Sequence, residues 1–223
     1  MSATKTALAF SVVGLLVVPS ARAETILYNT FGPGDAVSTA AAFFGFERGE
    51  EGGPDFLFAR AFPFVPNATA TLTSLDMPLE FPFSFTQGTL QVNVYASSGG
   101  LPTTLLENFA GDSSQTGRGT FRFDSALHPL LEAGTTYFVE ATVTGVADGL
   151  WFLSNTSPGI VPDVLRIDNG PFQIAGGTRD FQTAFRVNGN LAATPEPATL
   201  LLLLTGTALG ARGTRRLRSR DVH

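Results

Sequence analysis

The sequence predicts an all-β fold, an antiparallel two-sheet sandwich of jelly-roll type, flanked by an N-terminal signal helix and a C-terminal transmembrane helix. Three observations support this prediction. The 223 residues include 20 Phe, 24 Gly and 14 Pro, and many aromatic residues separated by turn formers are typical of short strands. Several segments alternate apolar and polar residues with a period of two. Outside the two ends, no long stretch shows the helical period of 3.6.

Composition limits the classes of function. Apolar residues make up 43% of the chain and charged residues only 15%, which argues against disorder. The absence of cysteine excludes a disulfide scaffold, a thiolate metal site, a cysteine nucleophile and a cysteine-linked lipid anchor. Residues 24–193 hold 17 acidic side chains against 7 arginines, a net charge of −10. This charge disfavours nucleic acid as a partner.

Residues 1–23 have the three parts of a secretory signal peptide. Lys5 provides the basic region, residues 8–18 form an apolar run, and Ala21 and Ala23 give the small-x-small pattern of a cleavage site. The apolar run of about 11 residues is short of the roughly 20 that span a bilayer. We therefore predict export through the Sec translocon and cleavage after Ala23, with a retained membrane anchor as the alternative.

Residues 191–223 predict a linker followed by a membrane segment. The triplet Pro195-Glu196-Pro197 precedes an uncharged, leucine-rich run at 198–211, and a basic cluster follows at 212–220. As a helix, the apolar run would rise about 21 Å at 1.5 Å per residue, less than a hydrocarbon core of about 30 Å. The positive-inside rule keeps the basic cluster in the cytoplasm. That cluster contains Arg212, Arg215, Arg216, Arg218 and Arg220.

This order of triplet, apolar helix and arginine cluster resembles the PEP-CTERM sorting signal of Gram-negative bacteria. The resemblance covers about 26 residues, and residues 221–223 extend beyond the usual end of the motif. It implies that an exosortase is the partner, that the inner membrane holds the precursor transiently, and that cleavage near the triplet releases the body to the cell surface or extracellular matrix. A simple single-span tail anchor is the alternative interpretation. A proline-flanked triplet also resists helix formation and stays extended, as a protease substrate must.

Residues 24–190 are predicted to form the sandwich domain. In the segment 89–96, Leu90, Val92 and Val94 share one face, and 135–144 alternates in the same way, so both predict half-buried strands with a polar outer face. The segment 37–46 fits either a short helix or a strand. The predicted strands are 25–31, 56–64, 70–79, 89–96, 103–109, 119–124, 135–144, 150–153 and 181–187.

Two stretches of the body carry a second resemblance. VNVYASSGGLPTTLLENF at 92–109 and LLEAGTTYFVEATV at 130–143 resemble the choice-of-anchor β-sandwich domains, the R type in particular. The resemblance covers about 32 residues. It implies an exported ectodomain without assigned catalysis and with no functional residues to transfer. The biology of the sorting family further implies a link to exopolysaccharide or biofilm.

Candidates for catalysis or metal binding are few. The histidines are His128, before a proline in a predicted loop, and His223 in the tail, and the G-x-S-x-G nucleophile motif does not occur. We expect that the protein is not an enzyme and that it binds no cofactor. Glu47, Glu50 and Asp55 in a glycine-rich loop are weak candidates for calcium ligands. The alternative is a solvated acidic loop, since the calcium-loop spacing D-x-[DN]-x-[DN]-G is not present.

Aromatic residues offer the remaining functional hypothesis. The phenylalanines at spacing two in 56–85 predict core packing, because phenylalanine has no polar edge. Trp151 and Tyr137 are better candidates for stacking on a sugar, with core packing as the alternative. We therefore expect an exported, non-enzymatic surface or matrix protein. The rival hypotheses are a carbohydrate-binding module, a polysaccharide-cleaving enzyme and a permanently anchored membrane protein.

Overall fold

The computed structural model describes residues 23–47, 55–81, 88–110, 117–156, 161–179 and 182–192. Within these ranges the chain is all-β with antiparallel pairing throughout, which confirms the all-β, antiparallel part of the predicted fold. One short 3₁₀ turn, Pro33–Asp35, follows the first strand. In the described part of the chain, no helix is long and apolar enough to cross a membrane. Apart from Ala23, the predicted signal peptide lies outside the described residues, as does the sorting segment 193–223.

Thirteen strands are present in the described part of the chain. They are β1 Thr25–Asn29, β2 Val37–Glu47, β3 Phe56–Phe64, β4 Ala70–Phe81, β5 Gly88–Ser98, β6 Leu101–Ala110, β7 Gly117–Asp124, β8 Leu130–Leu131, β9 Tyr137–Gly145, β10 Asp148–Ser154, β11 Val161–Ile167, β12 Gln173–Arg179 and β13 Arg186–Leu191.

Strand β4 organises the first layer because both of its edges are paired. One edge pairs with β13 through residues 70–76 and then with β10 at Leu79 and Glu80. The other edge pairs with β8 and with β7. Strand β1 adds to the far edge of β13. The layer therefore runs β1–β13–β4–β7, with the short β8 next to the start of β4.

The second layer has the order β10–β2–β3–β9–β5–β6, and β10 joins it to β4. The main hydrophobic core contains residues from both layers, for example Leu75 and Val187 from the first, and Phe62, Val92 and Val139 from the second, all with no exposed surface. Their burial between the layers makes the fold sandwich-like. The ambiguous segment 37–46 is part of strand β2, where its backbone is paired by β10 and β3.

A hairpin of β11 and β12 covers the outer side of the second layer. Strand β11 pairs with the edge of β3, and Val164 packs with Ala61, Tyr95 and Phe138 in a second, smaller core. As a result, β9 is buried on both faces from Tyr137 to Val143. The prediction that this strand has a polar face exposed to solvent is therefore wrong, because the β11–β12 hairpin covers that face.

The predicted strand at 181–187 is shifted in the structure. Residues 182–185 are buried but irregular, with one isolated bridge from Thr183 to Leu153, and the ladder begins only at Arg186. Backbone bonds from Ala184 to Phe152 and from Ser154 to Gln182 hold this segment against β10. The chain thus passes from the edge of β10 to the edge of β4. For this reason the regular strand, β13, begins later in the sequence than predicted.

Trp151 lies at the centre of the core. Its side chain has no exposed surface, its ring meets Phe62 edge-on at 5.3 Å between centroids, and Phe185 lies at 5.7 Å. The indole Nε1 donates a hydrogen bond of 2.9 Å to the carbonyl of Ala184. The ring therefore connects the second layer to the segment that leads into β13.

We expect Trp151→Ala to lower the free energy of unfolding by about 3–5 kcal/mol through the cavity it leaves. Trp151→Phe keeps most of the packing but leaves the buried Ala184 carbonyl without its donor, at a cost of about 1–3 kcal/mol. Urea unfolding followed by far-UV circular dichroism measures both. Equal stability of Trp151→Phe and the parent protein would contradict the assigned hydrogen bond.

Candidate functional site

The start of strand β1 and the end of strand β13 lie at the same end of the sandwich. Strand β1 starts two residues after Ala23, and Thr25 is in register with Gly189 of β13. Strand β13 ends at Leu191, which pairs with Ala70 at the start of β4. Since β1 and β13 are antiparallel, the start of β1 and the end of β13 are neighbours. We call this part of the molecule the exit end.

Glu24, the first residue after the predicted signal cleavage, is bound to the sheet. Its carboxylate accepts two hydrogen bonds from Nη2 of Arg122, at 2.8 and 3.0 Å, and others from the hydroxyls of Thr73 and Ser74. Partial burial raises the pKa of this carboxyl, but the hydrogen bonds outweigh it and the pKa is lowered overall. The residue that precedes β1 is thus held on β4 and β7.

An open cleft of about 450 Å³ lies at the opposite end of the sandwich. From Thr71 at the exit end to Glu80, strand β4 extends about 30 Å at about 3.3 Å per residue. Glu80 pairs with Leu150, which pairs with Phe43 in the cleft wall. The cleft is lined by Phe43, Phe46, Glu47, Phe58, Arg60 and Asp148.

Arg60 is the cation of the cleft and is rigidly held. Its Nη1 lies 2.6 and 2.8 Å from the two carboxylate oxygens of Asp163, and its Nε donates to the carbonyl of Phe43 at 2.8 Å. Asp163 is almost fully buried, whereas one fifth of the Arg60 side chain is exposed. The guanidinium therefore faces the cleft, and the buried carboxylate of Asp163 compensates its charge. These contacts fix Arg60 in position as a hydrogen-bond donor.

The remaining walls combine aromatic rings with carboxylates. Phe43 and Phe58 meet edge-on at 6.4 Å, and both are only partly buried, as is Phe46. Gly45, which is in register with Phe58, has φ +124°, and a Cβ there would lie 2.6 Å from the carbonyl oxygen of Ala147. Only glycine fits this approach. Apolar walls with a few fixed polar groups are the usual composition of a small-molecule site.

The aromatic residues singled out from the sequence lie elsewhere. Trp151 is fully buried and Tyr137 is 5% exposed, with its ring against Phe64 at 5.7 Å. Neither ring can present a face to a sugar, and the stacking hypothesis for these two residues is wrong. Both are large enough to fill the core between the layers. The rings that do line a cleft are those of Phe43, Phe46 and Phe58, and of these only Phe58 belongs to the phenylalanines that the sequence pattern assigned to the core.

The acidic loop is only partly described. Glu47 pairs with Phe56 across the base of the loop, which places Asp55 close by, and both carboxylates are exposed. Glu50, the third calcium candidate, lies outside the described residues. Among the described residues, no group of three or more acidic or histidine side chains is arranged to hold a metal ion.

His128, Ser125 and Glu107 lie close together but are not arranged as a catalytic triad. The hydroxyl of Ser125 donates to Glu107 at 2.8 Å and accepts the backbone N–H of His128. The His128 ring faces the carbonyl of Leu72 through Nδ1 at 3.0 Å. A triad needs the histidine ring to accept the serine proton. These contacts instead brace the loop between β7 and β8.

A buried charged cluster under the β11–β12 hairpin was not found from the sequence. Glu140, with no exposed surface, accepts bonds of 2.6 and 3.1 Å from Arg166, 2.7 Å from Asn93 and 3.0 Å from the hydroxyl of Tyr95. Burial, aided by the Glu140 charge, raises the pKa of Tyr95 and keeps the phenol protonated. Every oxygen of the buried carboxylate is therefore paired, as burial of a charge requires.

The comparisons with known proteins are negative. No family model matches the chain, and no curated protein is similar enough to match it.

Breaking the buried pair should destabilise the fold strongly. We expect Glu140→Gln to cost roughly 3–5 kcal/mol, because Arg166 stays beneath the hairpin without its counter-charge. The control is Asp124→Asn, which removes an arginine-bound carboxylate that is 77% exposed, where about 0–1 kcal/mol is expected. Urea denaturation measures both variants. Similar losses would show that the Glu140 cluster does not anchor the hairpin.

Proposed function

We propose that this chain is an exported, non-enzymatic cargo protein that an exosortase processes at its C-terminus. In this proposal the Sec translocon exports a jelly-roll-like sandwich carried between a signal helix and a transmembrane sorting helix. The inner membrane of a Gram-negative bacterium holds the precursor, and cleavage near Pro195-Glu196-Pro197 releases the body to the cell surface or matrix. The tripartite order of residues 195–220 is the observation that carries the proposal.

The geometry of the exit end supports this order of events. Because Thr25 and Gly189 are paired neighbours, a body with that pairing can be held by membrane segments at both termini without unfolding. Both predicted cleavages fall outside the ladder, after Ala23 and beyond Leu191. Removal of the two ends therefore costs the sandwich none of its described strands, and Glu24 keeps its contacts with Arg122.

The chemistry of the body supports a passive role. The serine–histidine–carboxylate cluster at Ser125, His128 and Glu107 holds backbone groups of the loop between β7 and β8 and the carbonyl of Leu72 on β4. The Arg60–Asp163 and Arg166–Glu140 pairs connect β11 to β3 and β9. In these clusters the polar side chains are engaged in holding one strand to another, which suits a protein that must survive outside the cell without disulfides.

A carbohydrate-binding role is the second candidate, and the cleft around Phe43, Phe46 and Phe58 is the observation that favours it. Partly exposed rings can stack on the apolar face of a sugar, while Glu47 and Asp148 accept hydrogen bonds from its hydroxyls and Arg60 donates one. The two carboxylates at the cleft, and the acidic body as a whole, repel anionic polymers. This role therefore favours neutral exopolysaccharide over uronic acids.

Intact-mass analysis of the native protein tests the cargo proposal. From cells with their exosortase, we expect a mature chain that starts at Glu24, ends near Pro195 and is recovered from the medium or the cell surface. Replacing all three triplet residues by alanine should leave the arginine cluster attached and the protein in the membrane fraction, whereas the nearby control Ala193→Ser should mature normally. A native chain that retains residues 212–220 would contradict the proposal and favour a permanent anchor.

The cleft is tested by the affinity of neutral oligosaccharides, measured by isothermal titration calorimetry. If the cleft binds sugar, Phe46→Ala should weaken binding about tenfold, because loss of an aromatic contact costs about 1 kcal/mol or slightly more. Phe121→Ala is the control, since Phe121 is also partly buried but lies on β7, outside the cleft. Equal affinities of the two variants, or no binding by the parent protein, would reject the second candidate.

A further inference from the structure

We propose that, before the sorting cleavage, the exit end of the sandwich rests on the outer leaflet of the inner membrane and contacts lipid through exposed apolar side chains. The inference rests on the proposed function, because it requires residues 198–211 to be inserted in the bilayer. It adds a docking surface and an orientation that the sorting signal alone does not imply. The surface consists of Ile26, Val65, Leu127, Leu130 and Leu191.

These five side chains are exposed in the folded body. Leu127 is 71% and Leu130 is 53% exposed, and each of the other three is exposed by 43–47%. An exposed leucine is common on a protein surface, but a local group of them marks an interaction site. Among the described residues, this group contains most of the large apolar side chains that are strongly exposed.

The strand register places the five side chains at the exit end. Leu191 pairs with Ala70 and Leu130 with Thr71, so both lie where β4 begins. Ile26 lies on β1, beside β13, and β1, β13, β4 and β8 are neighbours at this end. Three interstrand spacings of about 4.8 Å make this edge about 14 Å wide.

The remaining two residues lie on loops of the same end. Val65 directly follows β3 and comes two residues before Asn67, whose N–H donates to the carbonyl of Leu27 on β1. Leu127 belongs to the loop whose Pro129 accepts a bond from Leu72 of β4. The group therefore surrounds the point where the chain leaves β13.

The length of chain between β13 and the membrane segment keeps this end close to the bilayer. Six residues, 192–197, separate Leu191 from the apolar run, and they extend at most about 20–22 Å. They must cross a headgroup layer about 5–7 Å thick. The apolar helix, at about 21 Å, is also about 9 Å shorter than the hydrocarbon core. Subtracting the headgroup thickness and the shortfall of the helix from the extended length of the six residues leaves less than about 10 Å between the exit end and the lipid surface.

Lipid, rather than a charged partner, suits the chemistry of this surface. Arg122 lies between Glu24 and Asp124 and compensates much of their charge, and the body has no lysine, since Lys5 in the signal region is the only one in the chain. Electrostatic attraction to anionic headgroups is therefore weak, and the contact must come from burial of apolar surface at the interface. In this orientation the aromatic cleft, about 30 Å away along β4, faces away from the membrane.

The absence of cysteine allows a clean test by single-cysteine labelling. The chain would be purified from membranes of a host that lacks exosortase and reconstituted in vesicles of phosphatidylethanolamine with a minority of phosphatidylglycerol. An environment-sensitive dye is attached at Leu130→Cys or, as control, at Val146→Cys. The two sites are matched in exposure, 53% and 50%, but Val146 lies next to the cleft. Quenching by headgroup spin-labelled lipid should be several-fold stronger at position 130.

Vesicle flotation distinguishes a failure of the proposed function from a failure of the proposed orientation. A chain that does not float with the vesicles rejects the proposed function, because the sorting segment is then not inserted. A chain that floats but shows equal quenching at 130 and 146 rejects the orientation alone.

A second variant distinguishes apolar contact from simple tethering. With the dye at Val65→Cys, the double substitution Leu127→Ser/Leu130→Ser should reduce quenching several-fold, with far-UV circular dichroism as the check that the fold is kept. Unchanged quenching in a folded variant would overturn the docking surface and leave only the tether.

Discussion

The pairing of β1 with β13 is the constraint on which this account of the molecule depends. It joins the two ends of the described chain across a single interstrand spacing, with Thr25 in register with Gly189. β13 in turn pairs with β4, whose other edge carries β7 and β8. Glu24 strengthens the arrangement by binding Arg122, Thr73 and Ser74. The pairing places the start of β1 and the end of β13 at one end of the sandwich, and the cleft lies about 30 Å away along β4.

The local alternation of residues predicted most of the strands. In β5, Leu90, Val92 and Val94 face the core as the period of two indicates. The β11–β12 hairpin could not be predicted in the same way. β11 carries a proline and two charged residues within VPDVLRI, and β12 contains two glycines in QIAGGTR. Such segments have weak strand propensity, and they become strands here because β3 offers a free edge.

The same hairpin explains why the candidate sites differ from expectation. Glu140 and Asn93 look like solvent-facing residues in the sequence, but β11 covers them and Arg166 supplies the charge that permits burial. For Trp151 and Tyr137 the sequence allows either sugar stacking or core packing, and the two-layer core buries both rings. The cleft phenylalanines are only partly buried and lie near the end of the β2–β10 ladder, at the pair Gly45–Asp148. None of these outcomes follows from the local pattern of residues in the sequence, so they become visible only when the strands are paired in the tertiary structure.

Cross-linking of the two chain ends tests the central claim most directly. Cysteines at Thr25 and Leu191 should lie about 8 Å apart, from two residues along a strand and one interstrand spacing. A short bismaleimide of similar length should therefore join them within one monomer, seen as the added linker mass without free thiol. The control pair at Thr25 and Val146 should react only as two separate sites. Failure of the first pair to cross-link, or equal cross-linking of both pairs, would contradict the shared exit end and the account built on it.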